Sequence, residues 1–291
     1  MTNVTNESTD WFTPENIARY YRATRWQYRA LWTGKQSLAL HYGYWDQAVK
    51  DHIQALDRMN EELARRANIC AADYVLDAGC GWGGSCIWLV QKHGARTLGI
   101  NIEPEQVQKA QEKARLFGVQ DRTSFIVADY HRIPAAEGSF DVVWAMESFC
   151  HSDHKDVCAR EAFRVLKPGG RLVLCDYFRA SRRLAAPDEM LLRKWLGQWV
   201  VRDLATFGEF REHLLSAGFI DVNIDEATAN IYPSSRRLYL TGVITGPLAI
   251  LFRGVGLHTR MAHGNWKSSI LQYRALKRST WRYGIFSGRR P

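Results

Sequence analysis

The stretch YVLDAGCGWGGSCIWLVQKHG, residues 74–94, decides the fold. An apolar run ends on Asp77 and reads as a buried strand. Gly79, Gly81, Gly83 and Gly84 then make a turn, and an apolar segment of helical length follows, closed by Gly94. Glycines permit a tight turn and let a ligand come close to the backbone. The amides of a following helix N-terminus give such a turn positive character. Glycine spacing by itself is compatible with a dinucleotide loop.

The same alternation continues on the C-terminal side. RTLGINI (96–102) reads as a second strand, and Pro104 opens a helix that runs to Phe117 and stops at Gly118. TSFIVADY (123–130) and FDVVWAME (140–147) are the third and fourth strands. A helix over His154–Leu166 ends at KPGG, and RLVLCDY (171–177) is the fifth strand. Helices over 187–203 and 206–217, a strand FIDVNID (219–225), a mostly helical 229–280 and a last strand WRYGIFSG (281–288) complete the chain. Strands separated by helices predict an α/β, doubly wound Rossmann-like sheet, because parallel neighbours need crossover connections.

On the N-terminal side, Thr13-Pro14-Glu15 is an N-cap with Pro at the first helical position. Ile17, Tyr20, Tyr21, Thr24, Tyr28, Leu31 and Trp32 follow at helical spacing. LHYGYWD (40–46) is a loop, and a second amphipathic helix is expected over 48–66. The expected organisation is a helical lid (1–68), a core (69–228), a basic helical cap inserted before the last strand (229–280), and that strand (281–291).

The order D-x-G-C-G-x-G-G departs from the dinucleotide pattern and resembles the S-adenosylmethionine (SAM) loop of class I methyltransferases. FDVVWAMES and RVLKPGGRLVL resemble that family's fourth- and fifth-strand segments. The resemblance implies SAM as cofactor and a seven-stranded sheet whose last strand is antiparallel. It implies Asp77 toward the ammonium group, with Gly79 and Gly81 under the methionine moiety. Asp129 and Tyr130, closing the third strand, fall where the family holds the adenine. The second strand ends Gly99-Ile100-Asn101-Ile102 where many class I enzymes have an acid for the ribose. This resembles the cyclopropane-synthase, tocopherol and sterol methyltransferase branch, and it implies that Asn101, Ile102 and Gln106 share the ribose, with Glu103 as fallback. LHYGYWD is similar to that branch's aromatic segment, which implies His41 at the cofactor and Tyr42 and Tyr44 near the acceptor.

AMESFCHS (145–152) resembles the sterol C-methyltransferase segment, with Glu147 and His151 in the same positions. Methylation of an alkene produces a carbocation. Aromatic faces stabilise it by about 0.5–2 kcal/mol each, a carboxylate at moderate distance adds to that in a low-dielectric slot, and a base then removes a proton. Glu147, Tyr42 and His151 are the expected catalytic residues, with Tyr20, Tyr21 and Tyr44 in an aromatic cage. The first reading is therefore C-methylation of a lipophilic isoprenoid: a prenyl diphosphate, another terpenoid or a sterol. The alternative enzyme reading is O- or ring methylation of a phenol or quinol, with Glu147 or His151 removing a hydroxyl proton.

With 291 residues, 46% of them hydrophobic, the chain has enough apolar material for a full core. The six cysteines form no CxxC pair, and neither a disulfide framework nor a metal site is expected. MTNVTNESTD lacks an apolar signal core, and LYLTGVITGPLAILF (238–252) is too short to span a bilayer. A cytoplasmic protein is expected, with peripheral contact of the basic segment with a membrane as the alternative, and its oligomeric state is open. Charge is uneven. No acid follows Glu226, and residues 227–291 carry 11 of the 39 Lys and Arg residues, leaving 28 against all 30 acids in the rest. An anionic substrate, an anionic membrane surface or nucleic acid would each suit that segment. Against nucleic acid, the fourth strand has no (D/N)PP(Y/F) motif and the basic residues are interleaved with Leu, Ile and Phe. Arg236, Arg237, Arg253, Arg260 and Lys267 are the expected diphosphate contacts, flanked by Tyr239 and Trp266.

Overall fold

The computed structural model describes residues 11–27, 38–254 and 259–291. Seven strands form one sheet in the order β3-β2-β1-β4-β5-β7-β6: β1 (Tyr74–Ala78), β2 (Arg96–Asn101), β3 (Thr123–Val127), β4 (Phe140–Met146), β5 (Leu166–Arg179), β6 (Ile220–Glu226) and β7 (Trp281–Arg289). β7 runs antiparallel to both β5 and β6, and the pairs from β3 across to β5 are parallel. Buried parallel strands carry near-continuous apolar runs, and Val142, Val143, Trp144 and Ala145 of β4 are all buried.

Helices flank the sheet: α1 (Pro14–Gln27), α2 (His52–Arg66), α3 (Gly84–His93), α4 (Pro104–Leu116), α5 (Lys155–Val165), α6 (Ala186–Gln198), α7 (Phe207–Ser216), α8 (Thr228–Gly254) and α9 (Arg260–Lys277). The expected continuation of α1 through Tyr28, Leu31 and Trp32 lies outside the described residues. α2 starts at His52 rather than at 48 because the Asp51 side chain caps it, accepting from the Gln54 N–H at 2.9 Å. β5 starts before the KPGG turn rather than after it. Leu166 pairs with Phe140, Arg171 pairs with Val142, and KPGG is an excursion between them.

α8 and α9 lie side by side, joined by Trp266 Nε1 donating to the Gly242 carbonyl at 2.6 Å. Close approach explains the glycine: a Cβ there would meet Ser269 Oγ at 2.0 Å. Gln272 of α9 is fully buried. Its Oε1 accepts from Tyr42 (2.9 Å) and Ser235 (2.5 Å), and its amide donates to the carbonyls of Ser235 and Ser269. A buried amide with every group satisfied locks α8, α9 and the loop ahead of α2 into one arrangement. α1 is tied to α9 by Tyr20 Oη donating to Asn265 Oδ1 (2.7 Å) and Gln27 Nε2 donating to the Ala262 carbonyl (2.8 Å).

Candidate active site

A deep cleft opens over the C-terminal ends of β1, β2 and β4, where open α/β sheets bind ligands. α1, the loop at 38–41, α8 and α9 wall it from above. One half is polar. Asp77, next to last in β1, is buried in the cleft wall, and burial raises its carboxyl to about 7. Among the described residues only the Cys86 thiol donates to it, at 3.4 Å. Gly79 and Gly81 follow with φ +103° and +52°, a region that favours glycine. A Cβ on Gly79 would meet Ser148 Cβ at 2.4 Å, and one on Gly81 would meet Leu40 Cδ1 at 3.1 Å. The turn is therefore pinched between β4's end and the overlying loop, and its backbone faces the cleft.

At the end of β2, Asn101 Nδ2 donates to Gln106 Oε1 at 3.0 Å, so the two side chains present one polar edge to the cleft. Ile102 lies beside them. Tyr130 lines the cleft with its hydroxyl donating to the Ser148 carbonyl at 3.1 Å. Asp129 is outside the cleft. Its carboxylate accepts from the His131 N–H and ring, which holds it below the usual range and raises His131 to about 10. Glu103 is also outside the cleft. It caps α4 by accepting from the Gln106 N–H (2.8 Å) and receives Arg22 of α1 at 3.0 Å. His41 lines the cleft with Nδ1 2.9 Å from the Tyr42 carbonyl, and burial lowers its pKa to about 4.

These groups fit SAM on physical grounds. A buried carboxylate with one weak donor suits an ammonium group. The glycine cradle accepts a ligand against its backbone, and the Asn101–Gln106 edge suits vicinal hydroxyls.

The other half is apolar, lined by Tyr20, Tyr21, Tyr177, Trp199, Leu238 and Trp266, with Glu147 and His151 between the halves. Glu147 follows β4 with φ +50°, a strained conformation for a residue with a side chain, and its N–H donates to the Cys175 carbonyl. Three donors hold its carboxylate: the Tyr42 N–H (2.7 Å), the Tyr283 hydroxyl (2.7 Å) and the Tyr177 hydroxyl. Burial outweighs them and raises Glu147 to about 7. His151, on a single 3-10 turn (Phe149–His151), is 2.9 Å from the Tyr21 hydroxyl through Nε2. Burial lowers its pKa to about 4, so its ring is neutral at pH 7.

Tyr42 is fully buried behind the cleft, and its hydroxyl goes to Gln272; only its backbone N–H reaches Glu147. Tyr44 is half-buried and packs against the core cluster that contains Tyr42. Arg236 and Arg237 are exposed and outside the cleft, and Tyr239 stacks on Tyr273 at 4.8 Å. The reason is helical: α8 turns Leu238, Thr241, Gly242 and Thr245 inward, and Arg236 lies on the opposite side. Lys267 is exposed too, and the side chains of Arg253 and Arg260 lie outside the described ones. Among the described residues, no Lys or Arg lines the cleft. Sequence reasoning missed Tyr177 and Tyr283. Met146 pairs with Cys175, and the Tyr177 hydroxyl, two residues further along β5, reaches Glu147 just past the end of β4, so the strand-end rule was the available signal for the first.

Residues 76–174 match the methyltransferase domain family. The chain is 33% identical to the 27-O-demethylrifamycin SV methyltransferase of Amycolatopsis mediterranei (strain S699), covering 76% of this chain and 80% of that one. It is 39% identical to the methyltransferase GfsG of Streptomyces halstedii over 55% of this chain and 57% of that relative's length. Two solved structures share the fold. The [4+2]-cyclase SpnF superposes with a TM-score of 0.79 at 24% identity, covering 96% of this chain and 97% of that one. The geranyl diphosphate C-methyltransferase of Streptomyces coelicolor A3(2) does so at 0.71 and 20%, covering 98% and 99%.

Proposed function

The chain belongs to the SAM-dependent methyltransferases, and from that premise we propose that it methylates a hydroxyl oxygen of an uncharged, lipophilic acceptor. One observation carries this reading: the acceptor half offers aromatic and aliphatic walls, a neutral imidazole, and no cation among the described residues. Among the described residues, a diphosphate desolvated there would find none of the Arg or Lys partners that favour it. The same lack leaves a nucleic-acid backbone without contacts in the cleft.

SAM would supply an electrophilic methyl group, its methyl–sulfur bond breaking to leave S-adenosylhomocysteine. Asp77, the Gly79–Gly81 backbone and the Asn101–Gln106 edge would hold it, with Tyr130 on the adenine side. His151 Nε2 takes the acceptor's hydroxyl proton as the oxygen–methyl bond forms. Tyr21, already within hydrogen-bonding distance of that nitrogen, orients the ring and yields its place to the acceptor hydroxyl. Glu147, anchored by three donors, positions the Tyr42 and Tyr177 segments around the acceptor.

A second reading is favoured by Glu147 itself. A carboxylate beside Tyr177, with Trp199 packed at 5.7 Å, suits an alkene methylated on carbon through a cation. Labelled SAM incubated with a quinol, a phenol, a sterol, farnesyl diphosphate and geranyl diphosphate separates the two. Label in an ether on an uncharged acceptor is expected. Label on carbon in a prenyl diphosphate alone would overturn the oxygen reading.

A further inference from the structure

α8 presents two opposite sides, one to the cleft and one to the outside. Leu238, Thr241, Gly242 and Thr245 wall the cleft. On the other side Leu240, Val243, Ile244, Ile250 and Leu251 stand 41%, 46%, 77%, 60% and 59% exposed. Their spacing, i, i+3, i+4, i+10 and i+11, is one helical stripe, and exposed Pro247 lies within it. Isolated exposed apolar residues need no explanation, but a continuous stripe of this kind marks a contact surface. Arg236 heads the same stripe and Arg237 stands at its edge, both exposed. The whole segment from 227 onward contains no acid.

We propose that this outer face of α8 docks on an anionic lipid surface, inserting the apolar stripe among the acyl chains with Arg236 and Arg237 at the headgroups. An apolar face bordered by basic residues is the recipe for an in-plane interfacial helix. No described helix is long and apolar enough to cross a membrane, so the contact is peripheral. A second copy of the chain suits the face less well. A two-fold contact through it brings both copies' acid-free, basic segments together. Docking sets the cleft directly behind the lipid-facing helix, and it stands whether the acceptor is methylated on oxygen or on carbon.

The test is co-sedimentation with vesicles of phosphatidylcholine alone and of phosphatidylcholine with a third phosphatidylglycerol, at low and high salt. SAM calorimetry on each variant verifies the fold independently of any acceptor. The full chain should bind the anionic vesicles. Ile244→Glu/Ile250→Glu should lower that binding about tenfold or more by putting charge on the buried face. Arg236→Glu/Arg237→Glu should abolish the preference for anionic vesicles at low salt. Absence of vesicle binding by the full chain, or equal binding by the Ile244→Glu/Ile250→Glu variant, overturns the proposal. A dimer in light scattering that this variant converts to monomer, with no vesicle binding, assigns the face to a second copy instead.

Discussion

The two halves of the cleft are built in different ways. The half we assign to the cofactor comes from strand ends and the turns that follow them. Asp77, Gly79 and Gly81 are neighbours in the chain, and Asn101 and Gln106 are five apart. The acceptor half is assembled from α1, β5, α8 and α9, and its key carboxylate is held by Tyr283 from 136 residues away. A site made of local turns tolerates change elsewhere and keeps one ligand. A site made of distant helices can be re-lined without disturbing the sheet. That difference explains how relatives named for different acceptors share one methyltransferase core, and it sets where substitutions will act hardest.

The largest effect should fall in the cofactor half. Asp77→Asn should lower SAM affinity about 100-fold or more, since it removes one partner of a buried charge pair. Calorimetry on the folded variant measures this, and unchanged affinity would remove Asp77 from the cofactor site. The same carboxyl makes binding depend on pH. Its folded pKa is about 7, above the ordinary 3.8. SAM affinity should therefore rise with pH through about 7 and then level off, and Asp77→Asn should flatten that rise. Stability of the free protein should move the other way. Between pH 4 and 7 the native state holds a proton on Asp77 that the unfolded chain has lost, so the native state weakens as pH climbs.

A smaller effect, in kcat rather than in binding, should separate the residues between the halves. His151→Ala should lower kcat about 100-fold at saturating SAM, with cofactor affinity kept. Glu147→Gln should cost less, because the amide can still accept from the Tyr42 N–H. Wild-type kcat should hold at full SAM saturation down to about pH 5, because His151 with a pKa of about 4 is still neutral there. A kcat that falls away below pH 7, together with Glu147→Gln as the worse variant, would mean that the ionised carboxylate does the work. The reaction would then belong to the carbon reading.

The same contrast governs what could be read in advance. Strand–turn–helix alternation made the sheet and the cofactor loop legible, because each motif is contiguous and its period is diagnostic. Glu147 and His151 stood out as an acid and an imidazole closing an apolar strand. Arg236 and Arg237 were visible as charge, but their facing was not. α8 turns Leu, Thr, Gly and Ala toward the cleft and Leu, Val and Ile toward the outside, so no polar–apolar period marks which side faces the site. Tyr42 was visible as an aromatic beside Glu147, yet its ring turns away to Gln272, a partner 230 residues distant. Asp129 was singled out by its place at a strand end, and His131, two residues on, takes its carboxylate. The distant Tyr42–Gln272 contact is set by packing, and the local Asp129–His131 contact by a turn that has no period to announce it.

The smallest predicted effect tests the seam between the halves. Arg22 on α1 is half exposed, reaches Glu103 at 3.0 Å and Glu105 at 3.6 Å, and is joined by Arg25 at 2.5 Å from Glu105. Glu103 in turn caps α4, the helix that carries Gln106. α1 is thus fastened to the residue that caps the helix carrying Gln106, part of the polar edge we assign to the cofactor. An exposed guanidinium contributes up to about 1 kcal/mol to such a pair. Arg22→Ala should therefore raise the SAM dissociation constant no more than about fivefold, with kcat nearly unchanged, and the effect should shrink in high salt. A loss as large as that of Asp77→Asn would mean that α1 helps form the cofactor site itself, so that the two halves are one cooperative unit. No change at all would mean that α1 is held by its other contacts, Tyr20–Asn265, Gln27–Ala262 and Tyr21–His151 among them, and that the Arg22–Glu103 pair does not couple the two halves.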